Sequence, residues 1–567
     1  MVDRTGEGPP ATSLVIGVTG HRKLRESELA MLQGQIRGFL QDLQRRYPEL
    51  PLVMVSALAE GSDQLAAEVA LDLGLRLIAP LPIPAELYRD DFDQPESRAR
   101  FEKQLAQAEV LTLPLRHGNR LEDVRRPGIA RDQQYAQAGM FASSHCHILL
   151  ALWDGLPSDN LGGTAQVVRF HLHGDMPGQI ERRRAAVTLL GLDEETVIHH
   201  IPAGRRDSDH PIAGASRWLT TGEDVEASAE LPGAFDLMFR RHAQFNADAR
   251  RHAEAIASQA ATSPDVVPGP IERVFDSADW LARMYQRRVT RVLRITYVLA
   301  ALMGFAFFTY THIATQDLVI YGFLGLFLAG MAVMLVARRG DWQRKYLDYR
   351  ALAEGLRVQS YWRRAGIVDI NTPIFAHDNF LQKQDVALGW IRNVMRGASL
   401  DGLLQPMPSN TEAQVDAVIE DWIGAPGGRG QLGYYAATAK RKTRTHIRAE
   451  LLGLFCVGLG VGISALLAIF AGQFDAELKH HLVSALGILS VAAAVHEAYA
   501  YKKADKELIK QYRFMQRIFS AARRRLASAS SVKDKQRILR ALGEAALTEH
   551  AEWTLMHRER PLQHSRI

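Results

Sequence analysis

Leu14-Val15-Ile16-Gly17-Val18 is a short apolar run that leads directly into the polar, glycine-containing segment Thr19-Gly20-His21-Arg22. A run of this length followed by a helical pattern is typical of a strand buried in a parallel sheet. Comparable apolar runs, separated by helical patterns, recur downstream at 52–55, 76–79, 110–113, 147–153 and 197–201. This alternation predicts an α/β domain with a doubly wound parallel sheet.

Polar, glycine-rich loops follow three of these strands. They read Gly17-Val-Thr-Gly-His-Arg22, Ala59-Glu-Gly-Ser-Asp63, and Asp154-Gly155 with the nearby Gly162-Gly-Thr164. In doubly wound sheets, ligands bind beyond the carboxyl ends of the strands. Glycines there permit close approach, a helix N-terminus attracts phosphate, and an arginine pairs with phosphate or carboxylate. The residues of any single loop are explained equally well by turn formation and helix capping. Three such loops on one edge of the sheet favour a ligand site.

Four long apolar runs occupy the second half of the chain, at 295–315, 318–337, 451–474 and 482–501, and only the last of them contains a fixed charge, at Glu497. Each matches the roughly 20 residues that a helix needs to span hydrocarbon. Buried helices of a large soluble protein are the alternative, and the charged flanks disfavour it. The four runs are expected to form two helical hairpins. Basic clusters border the open ends of both hairpins, so these open ends and both termini are expected in the cytoplasm.

Polar residues and glycines within the predicted membrane spans indicate how the spans could act. His496 and Glu497 interrupt the last span close to Lys502, which favours snorkelling over a proton relay. Gly458-x-x-x-Gly462 in the third span favours close helix association. With no charge deep in the spans, a pore would have to form from several copies.

The composition of the chain limits the kinds of binding partner that are expected. The 567 residues carry a formal net charge of +5, and the basic excess lies beside the apolar runs, which indicates membrane topology rather than binding to nucleic acid. Cys146 and Cys456 form neither a disulfide framework nor a metal cluster. Residues 1–12 lack the apolar core of a signal peptide and are expected to be a disordered lead-in. His199 and His200 fall in a predicted strand without further ligands, so no metal is expected.

The loop motifs together resemble the SLOG domain, a Rossmann-like superfamily that includes the Lonely-guy enzymes and binds or processes nucleotide derivatives. The matching segments are Gly17-x-x-Gly-His-Arg22, Ala57-x-x-Glu-Gly-Ser-Asp-Gln-Leu-Ala66, Arg131-Asp-Gln-Gln-Tyr135, and Leu152-Trp-Asp-Gly155 with Gly162-Gly-Thr164. The resemblance covers about residues 13–205 and implies a nucleotide-derived ligand with no further cofactor. Carried over by position, the ligand-loop residues are Gly20, His21, Arg22, Glu60, Gly61, Ser62, Asp63, Asp154, Gly155, Gly162, Gly163 and Thr164.

The membrane half is similar to SLATT modules, two-transmembrane effectors that accompany SLOG domains in prokaryotic conflict systems. Residues 349–359, Tyr-Arg-Ala-Leu-Ala-Glu-Gly-Leu-Arg-Val-Gln, and 549–553, Glu-His-Ala-Glu-Trp, carry the likeness. Tyr349-Arg350 and Tyr512-Arg513 follow the two hairpins at similar distances, which suggests an internal repeat or a coincidence. The resemblance implies a sensor and effector in the prokaryotic inner membrane, whose homo-oligomeric pore disrupts the bilayer in antiviral defence.

The expected organisation is a SLOG-like domain at 13–205, a linker at 206–275, a first SLATT-like module at 276–365, a helical linker at 366–432 and a second module at 433–560. Two rival functions remain open. Lonely-guy relatives cleave nucleotide N-glycosidic bonds with a Gly-Gly-x-Gly-Thr-x-x-Glu loop, but here the glutamate position is Val167, so no catalytic residue is assigned. Glu60, Asp63 or Asp154 would have to supply the catalytic carboxylate in its place. In the second rival function, the membrane half only tethers a soluble binding module.

Overall fold

The computed structural model describes residues 11–92, 94–174, 176, 196–208, 214–221, 225–260, 268–312, 316–368, 380–381, 386–406, 411–470, 472–503 and 505–558. The chain divides into two compact units. Unit 1 comprises Met1–Asp279 and Ala351–Ser409, and unit 2 comprises Trp280–Arg350 and Asn410–Ile567.

An eight-stranded mixed sheet forms the centre of unit 1. Its strands are β1 (Leu14–Gly20), β2 (Leu52–Val55), β3 (Arg76–Leu81), β4 (Glu109–Thr112), β5 (Ile148–Trp153), β6 (Val197–Pro202), β7 (Arg217–Thr221) and β8 (Val225–Ser228). The spatial order is β4-β3-β2-β1-β5-β6-β7-β8. The first six strands are parallel, which confirms the predicted parallel sheet, whereas β7 and β8 add antiparallel pairs that the sequence analysis did not predict.

Helices cover this sheet because its central strands are apolar throughout. They are α1 (Leu29–Arg46), α2 (Ser62–Asp72), α3 (Ala85–Tyr88), α4 (Pro95–Leu105), α5 (Ile129–His145), α6 (Thr164–His173), α7 (Gly233–Arg251) and α8 (Ala253–Ala260). Helix α1 shows the principle, since Leu32, Ile36, Leu40 and Leu43 recur at helical spacing and are all buried. Burial of both sheet faces explains the nearly continuous apolar strands that the sequence displays.

The segment 206–275, expected to be a linker, instead contributes structure to unit 1. It contains β7, β8, α7 and α8. Helix α7 buries Phe235, Met238, Phe239 and Phe245 at helical spacing, although polar residues dilute that pattern in the sequence. Thr12, placed at the end of the expected lead-in, is buried and donates a hydrogen bond to Asn246 of α7 over 2.7 Å. Residues 1–10 of that lead-in lie outside the described residues.

The remaining helices are α9 (Pro270–His312), α10 (Asp317–Arg339), α11 (Trp342–Arg364), α12 (Gly389–Leu403), α13 (Glu412–Trp422), α14 (Gln431–Phe470), α15 (Ala476–Lys503), α16 (Asp505–Ala527) and α17 (Val532–Arg558). Two of the three unit boundaries fall within α9 and α11, and the third follows Ser409. Helix α12, in the expected helical linker at 366–432, belongs to unit 1 and buries Trp390, Ile391 and Val394. That linker therefore contains the helices α12 and α13, and part of it is core.

Four helices of unit 2 are long and apolar enough to cross a membrane. The apolar segments lie in α9, α10, α14 and α15, as predicted, and almost none of their residues is buried within the chain. This exposure is what a lipid environment requires, because apolar side chains on such a scale are not left facing water. The prediction of a membrane protein is confirmed at this level.

Close contacts join these four helices. A Cβ at Gly487 of α15 would lie 2.2 Å from the ring of Phe308 on α9, so glycine allows the two helices to approach. His496 of α15 hydrogen-bonds through Nε2 to the carbonyl of Ala449 on α14, over 2.9 Å. Gly458 and Gly462, by contrast, have nothing described within 4 Å of an added Cβ, so close helix approach at these two predicted glycines is not seen within this chain.

The two membrane hairpins share a tyrosine arrangement outside the spans. Tyr349 of α11 packs on Tyr285 of α9 with ring centroids 5.8 Å apart. Tyr512 of α16 packs on Tyr435 of α14 with centroids 6.1 Å apart. In each case the helix that leaves a hairpin contacts the helix that enters it. This correspondence supports the internal repeat that the Tyr-Arg pairs suggested.

Candidate ligand-binding cleft

A cleft of about 410 Å³ opens at the carboxyl ends of the parallel strands in unit 1. The chain runs outward from β1 through β2, β3 and β4, then returns to place β5 on the other side of β1. The strand order therefore reverses between β1 and β5, and a crevice forms at such a reversal because successive loops diverge. The loops after β1, β2, β3 and β5 line the cleft together with α5.

Hydrogen bonds from Ser62 fix the turn that follows β1. Ser62 is fully buried, and both its backbone N–H and its hydroxyl donate to the carbonyl of His21, over 3.1 and 2.9 Å. A Cβ at Gly20 would lie 2.4 Å from the Ser62 side chain, and one at Gly61 would lie 2.2 Å from the carbonyl oxygen of Arg22. Gly61 and Ser62, predicted as ligand residues, thus shape the turn rather than line the cleft.

His21 and Asp154 form a buried pair at the back of this edge. The Nε2 of His21 accepts the backbone N–H of Asp154 over 3.0 Å and lies 3.3 Å from its Oδ2. Burial lowers the pKa of His21, although the Asp154 carboxylate opposes this shift. A neutral imidazole is consistent with Nε2 as an acceptor, so the charge of Asp154 is balanced by Arg205, whose Nε lies 3.2 Å away. Asp154 therefore positions Arg205 at the cleft wall.

Arg22 and Tyr135 form the polar and aromatic part of the wall. The exposed Arg22 guanidinium lies 5.9 Å from the centroid of the Tyr135 ring and makes one long hydrogen bond, 3.4 Å, to the carbonyl of Asp91. No ion pair engages Arg22 within the part of the chain that the structure describes. Its charge is therefore available to a ligand beside an aromatic surface.

Tyr135 itself is fixed by a partly buried network. Its hydroxyl donates to the carboxylate of Asp91 and accepts from Nε of Arg131 over 2.7 Å, while Arg131 pairs with Asp91 over 2.7 Å. Burial, followed by the hydrogen bond to Asp91, raises the pKa of Tyr135, so the phenol stays protonated. The ring is a rigid surface against which a planar group can stack.

The N-terminus of α6 forms the opposite side of the cleft. Gly162 adopts φ +72°, and a Cβ there would lie 2.7 Å from the backbone nitrogen of Ala136. Gly163 is the N-cap, no side chain caps the helix, and Thr164 lines the cleft. The first N–H groups of a helix have no intrahelical acceptor, and with the helix dipole they favour an anion. The third N–H group is bonded at both helices, from Gln166 to the carbonyl of Gly163 in α6 and from Gln64 to that of Ala59 in α2. Helix α2 differs at its first position, where the N–H of Ser62 donates to the carbonyl of His21.

Asp63 is the one deeply buried carboxyl at the cleft floor. Burial raises its pKa to about 7, while hydrogen bonds from Ser56 and the backbone amides of Ala59 and Ala57 oppose the shift. A carboxyl with this pKa can give or take a proton near neutral pH. Glu60, also predicted, is only partly buried and does not line the cleft.

The predicted residues thus divide into lining and supporting groups. Lining residues are Gly20, His21, Arg22, Asp63, Gly162, Gly163 and Thr164, whereas Glu60, Gly61, Ser62, Asp154 and Gly155 lie outside the lining. The cleft is also lined by residues that were not predicted as ligand residues, namely Tyr88, Asp132, Tyr135, Asn160 and Arg205. Tyr135 belongs to the motif Arg131-Asp-Gln-Gln-Tyr135, and only its place on α5 facing β1 brings it to the site.

The two histidines of the predicted sixth strand have structural partners. His199 stacks on Phe39 with centroids 4.2 Å apart and an interplanar angle of 5°, and burial lowers its pKa to about 4. His200 bonds through Nε2 to the carbonyl of Trp153 over 2.9 Å. Among the described residues, no group of three His, Cys, Asp or Glu side chains is placed to hold a metal ion.

No protein-family model, no curated protein and no solved structure matches this chain.

Proposed function

We propose that the cleft of unit 1 binds a nucleotide-derived small molecule and that the fold is Rossmann-like, of the SLOG type. The observation that carries this proposal is the juxtaposition of Arg22, the fixed Tyr135 ring and the uncapped N-terminus of α6 around one cleft. An aromatic surface suits a base, while the guanidinium and helix N-terminus suit phosphate. A volume of about 410 Å³ falls in the range typical of small-molecule sites.

We further propose that binding controls a membrane effector. In this proposal, several copies of the chain assemble through their membrane helices, open a pore and disrupt a prokaryotic inner membrane in antiviral defence. The unburied surfaces of α9, α10, α14 and α15 support assembly, because one copy leaves nearly all of them available to lipid or to other copies. The ligand must bind the assembled state more tightly than the resting state to drive this change.

Dye release from liposomes that carry the full chain tests the proposal. A panel of linear and cyclic nucleotide derivatives is added, and each compound is analysed by mass spectrometry afterwards. We expect leakage with at least one intact nucleotide, and loss of that response in Arg22→Ala. Arg45→Ala is the matched control, because Arg45 is an exposed arginine of α1 that contacts Asp42 and the carbonyl of Gln41 on its own helix. Equal leakage from both variants would contradict the site assignment.

Asp63 favours a second candidate, a membrane-anchored nucleotide N-glycosidase or related hydrolase. Its carboxyl lines the cleft and has a pKa of about 7, which suits general acid or base catalysis. The same liposome experiment separates the two functions, since a hydrolase consumes its nucleotide. If Asp63→Asn abolishes consumption while nucleotide binding persists, the enzyme proposal replaces the sensor.

A further inference from the structure

Exposed arginines follow one face of each helix that enters a membrane hairpin. Helix α9 presents a first basic stripe and α14 a second, which comprise Arg287, Arg291 and Arg294, and Arg441, Arg444 and Arg448, respectively. Steps of three and four residues place the members of each stripe on the same side of their helix. Both stripes lie within unit 2 and precede the apolar segments of their helices. Each hairpin therefore begins with a row of positive charge.

Each basic stripe continues, on the same helix face, into exposed apolar side chains. They are Val298, Leu302 and Phe305 after the first stripe, and Leu452, Phe455 and Leu459 after the second. In both helices these residues begin 11 positions and end 18 positions after the first arginine of the stripe, which is about three and five helical turns. All six are between 43% and 65% exposed, so the rest of the chain does not cover them. The two hairpins therefore present the same kind of surface, positive at the end and apolar along the span.

The arginines of both stripes pair with no carboxylate in the part of the chain that the structure describes. Helix α9 contains no Asp or Glu between Trp280 and its end at His312. Helix α14 contains one, Glu450, which lies 2.9 Å from Nζ of Lys506 and 3.2 Å from Nε2 of His446. Six positive charges are therefore left to be balanced by a partner of opposite charge.

The position of the arginines along each helix matches the headgroup layer of a bilayer. Arg294 directly precedes Ile295, where the first apolar run begins, and Arg291 lies about 6 Å of helix before that residue. Arg448 precedes Leu451, where the third run begins, by about 4.5 Å of helix. The headgroup layer is about 5 to 8 Å thick on each side of the hydrocarbon. The guanidinium groups nearest the spans are therefore at the level of the phospholipid phosphates.

We propose that each basic stripe, with the apolar face that continues from it, binds an anionic phospholipid. The arginines hold the headgroup phosphate, and the acyl chains lie along the exposed apolar side chains. The apolar continuation of both stripes favours a lipid over a soluble polyanion, which would use the charges alone. The unbalanced positive charge favours an anionic headgroup over a zwitterionic one, whose own cation would face the arginines. This preference goes beyond the proposed function, which requires only a membrane.

Native mass spectrometry of the full chain in detergent tests this proposal, with dioleoyl phosphatidylglycerol compared against dioleoyl phosphatidylcholine. One basic residue near an anionic surface contributes about 1 kcal/mol, or about five-fold in affinity. We expect the wild type to bind two phosphatidylglycerol molecules at least ten-fold more tightly than phosphatidylcholine. Arg291→Gln with Arg294→Gln should lose this preference at one of the two sites, and Arg444→Gln with Arg448→Gln at the other.

Arg524→Gln with Arg525→Gln is the matched control, because it removes the same number of charges. Both arginines are exposed on α16, about 28 Å of helix beyond Asp505, and no apolar segment continues from them. We expect this variant to bind both lipids as the wild type does. An equal loss in the control and the stripe variants would overturn the proposal, as would equal wild-type affinities for the two lipids.

Two further arms separate the contributions of charge and acyl chains. Lysine at the same four positions keeps the charge, so these variants should keep the preference even if the glutamine variants fold poorly. Loss of the preference with lysine would overturn the role of charge. Glycerophosphoglycerol, which is the headgroup without its acyl chains, should not displace phosphatidylglycerol at equal concentration. Displacement would show that the apolar faces contribute nothing and would overturn a lipid as the ligand.

Discussion

Gly61→Ala should distort the turn that builds one wall of the unit 1 cleft. Gly61 has φ +83° and ψ −115°, a conformation that costs a residue with a side chain about 1 to 3 kcal/mol. The added methyl would also lie 2.2 Å from the carbonyl oxygen of Arg22 and 2.5 Å from that of His21. Both obstacles are backbone atoms, so the turn must move, at a further cost of about 1 to 3 kcal/mol. The expected loss of stability is therefore about 2 to 6 kcal/mol.

Gly74→Ala is the matched control for this prediction. Gly74 has φ +71°, but nothing lies within 4 Å of an added Cβ, so only strain of about 1 to 2 kcal/mol applies. Hydrogen exchange with mass spectrometry on the full chain would measure local opening of β1 and α2 in both variants. We expect faster exchange in Gly61→Ala, with lower nucleotide affinity. Equal exchange in the two variants would refute the claim that backbone crowding at Gly61 holds the turn.

Three further predictions test the cleft and the membrane helices. Asp63 has a pKa of about 7 in the folded protein, against an ordinary value of 3.8. The folded state therefore binds this proton more tightly than the unfolded state, and the free energy of unfolding falls as the pH rises from about 4 to 7. Asp63→Asn should remove up to about 4 kcal/mol of this loss at pH 8 in denaturant titrations, whereas Asp132→Asn, at an exposed position of the same cleft, should leave the pH profile unchanged. Arg22→Ala should weaken nucleotide binding about 10- to 100-fold by calorimetry, which corresponds to one charged hydrogen bond, and an unchanged Kd would show that Arg22 does not touch the ligand. Gly487→Val should lower the thermal midpoint in detergent because its Cβ meets Phe308, while Gly458→Val, which meets nothing, should not; equal midpoints would argue against close packing of α9 on α15.

Several features of the ligand site escaped the sequence analysis for one reason. Asp91 and Arg131 are separated by 40 residues in the chain, yet both bond to the hydroxyl of Tyr135. No local pattern marks such a network, because each member looks like an ordinary residue of a loop or helix. The opposite error concerns Ser62, whose position at a helix start suggested a phosphate ligand. Its N–H and hydroxyl are instead used by the carbonyl of His21, which only the fold brings near.

The sequence by itself determined the four membrane-length helices and the parallel strands, because both arise from runs of neighbouring apolar residues that must leave water. It also located the loops at the strand ends, since chain direction alone places those ends on one edge of a parallel sheet. Only the tertiary structure decided that α7 and α12 belong to the unit that contains the sheet, and which loop residues line the cleft. Those outcomes depend on contacts between residues far apart in the chain, whose energies no local pattern of composition or periodicity records.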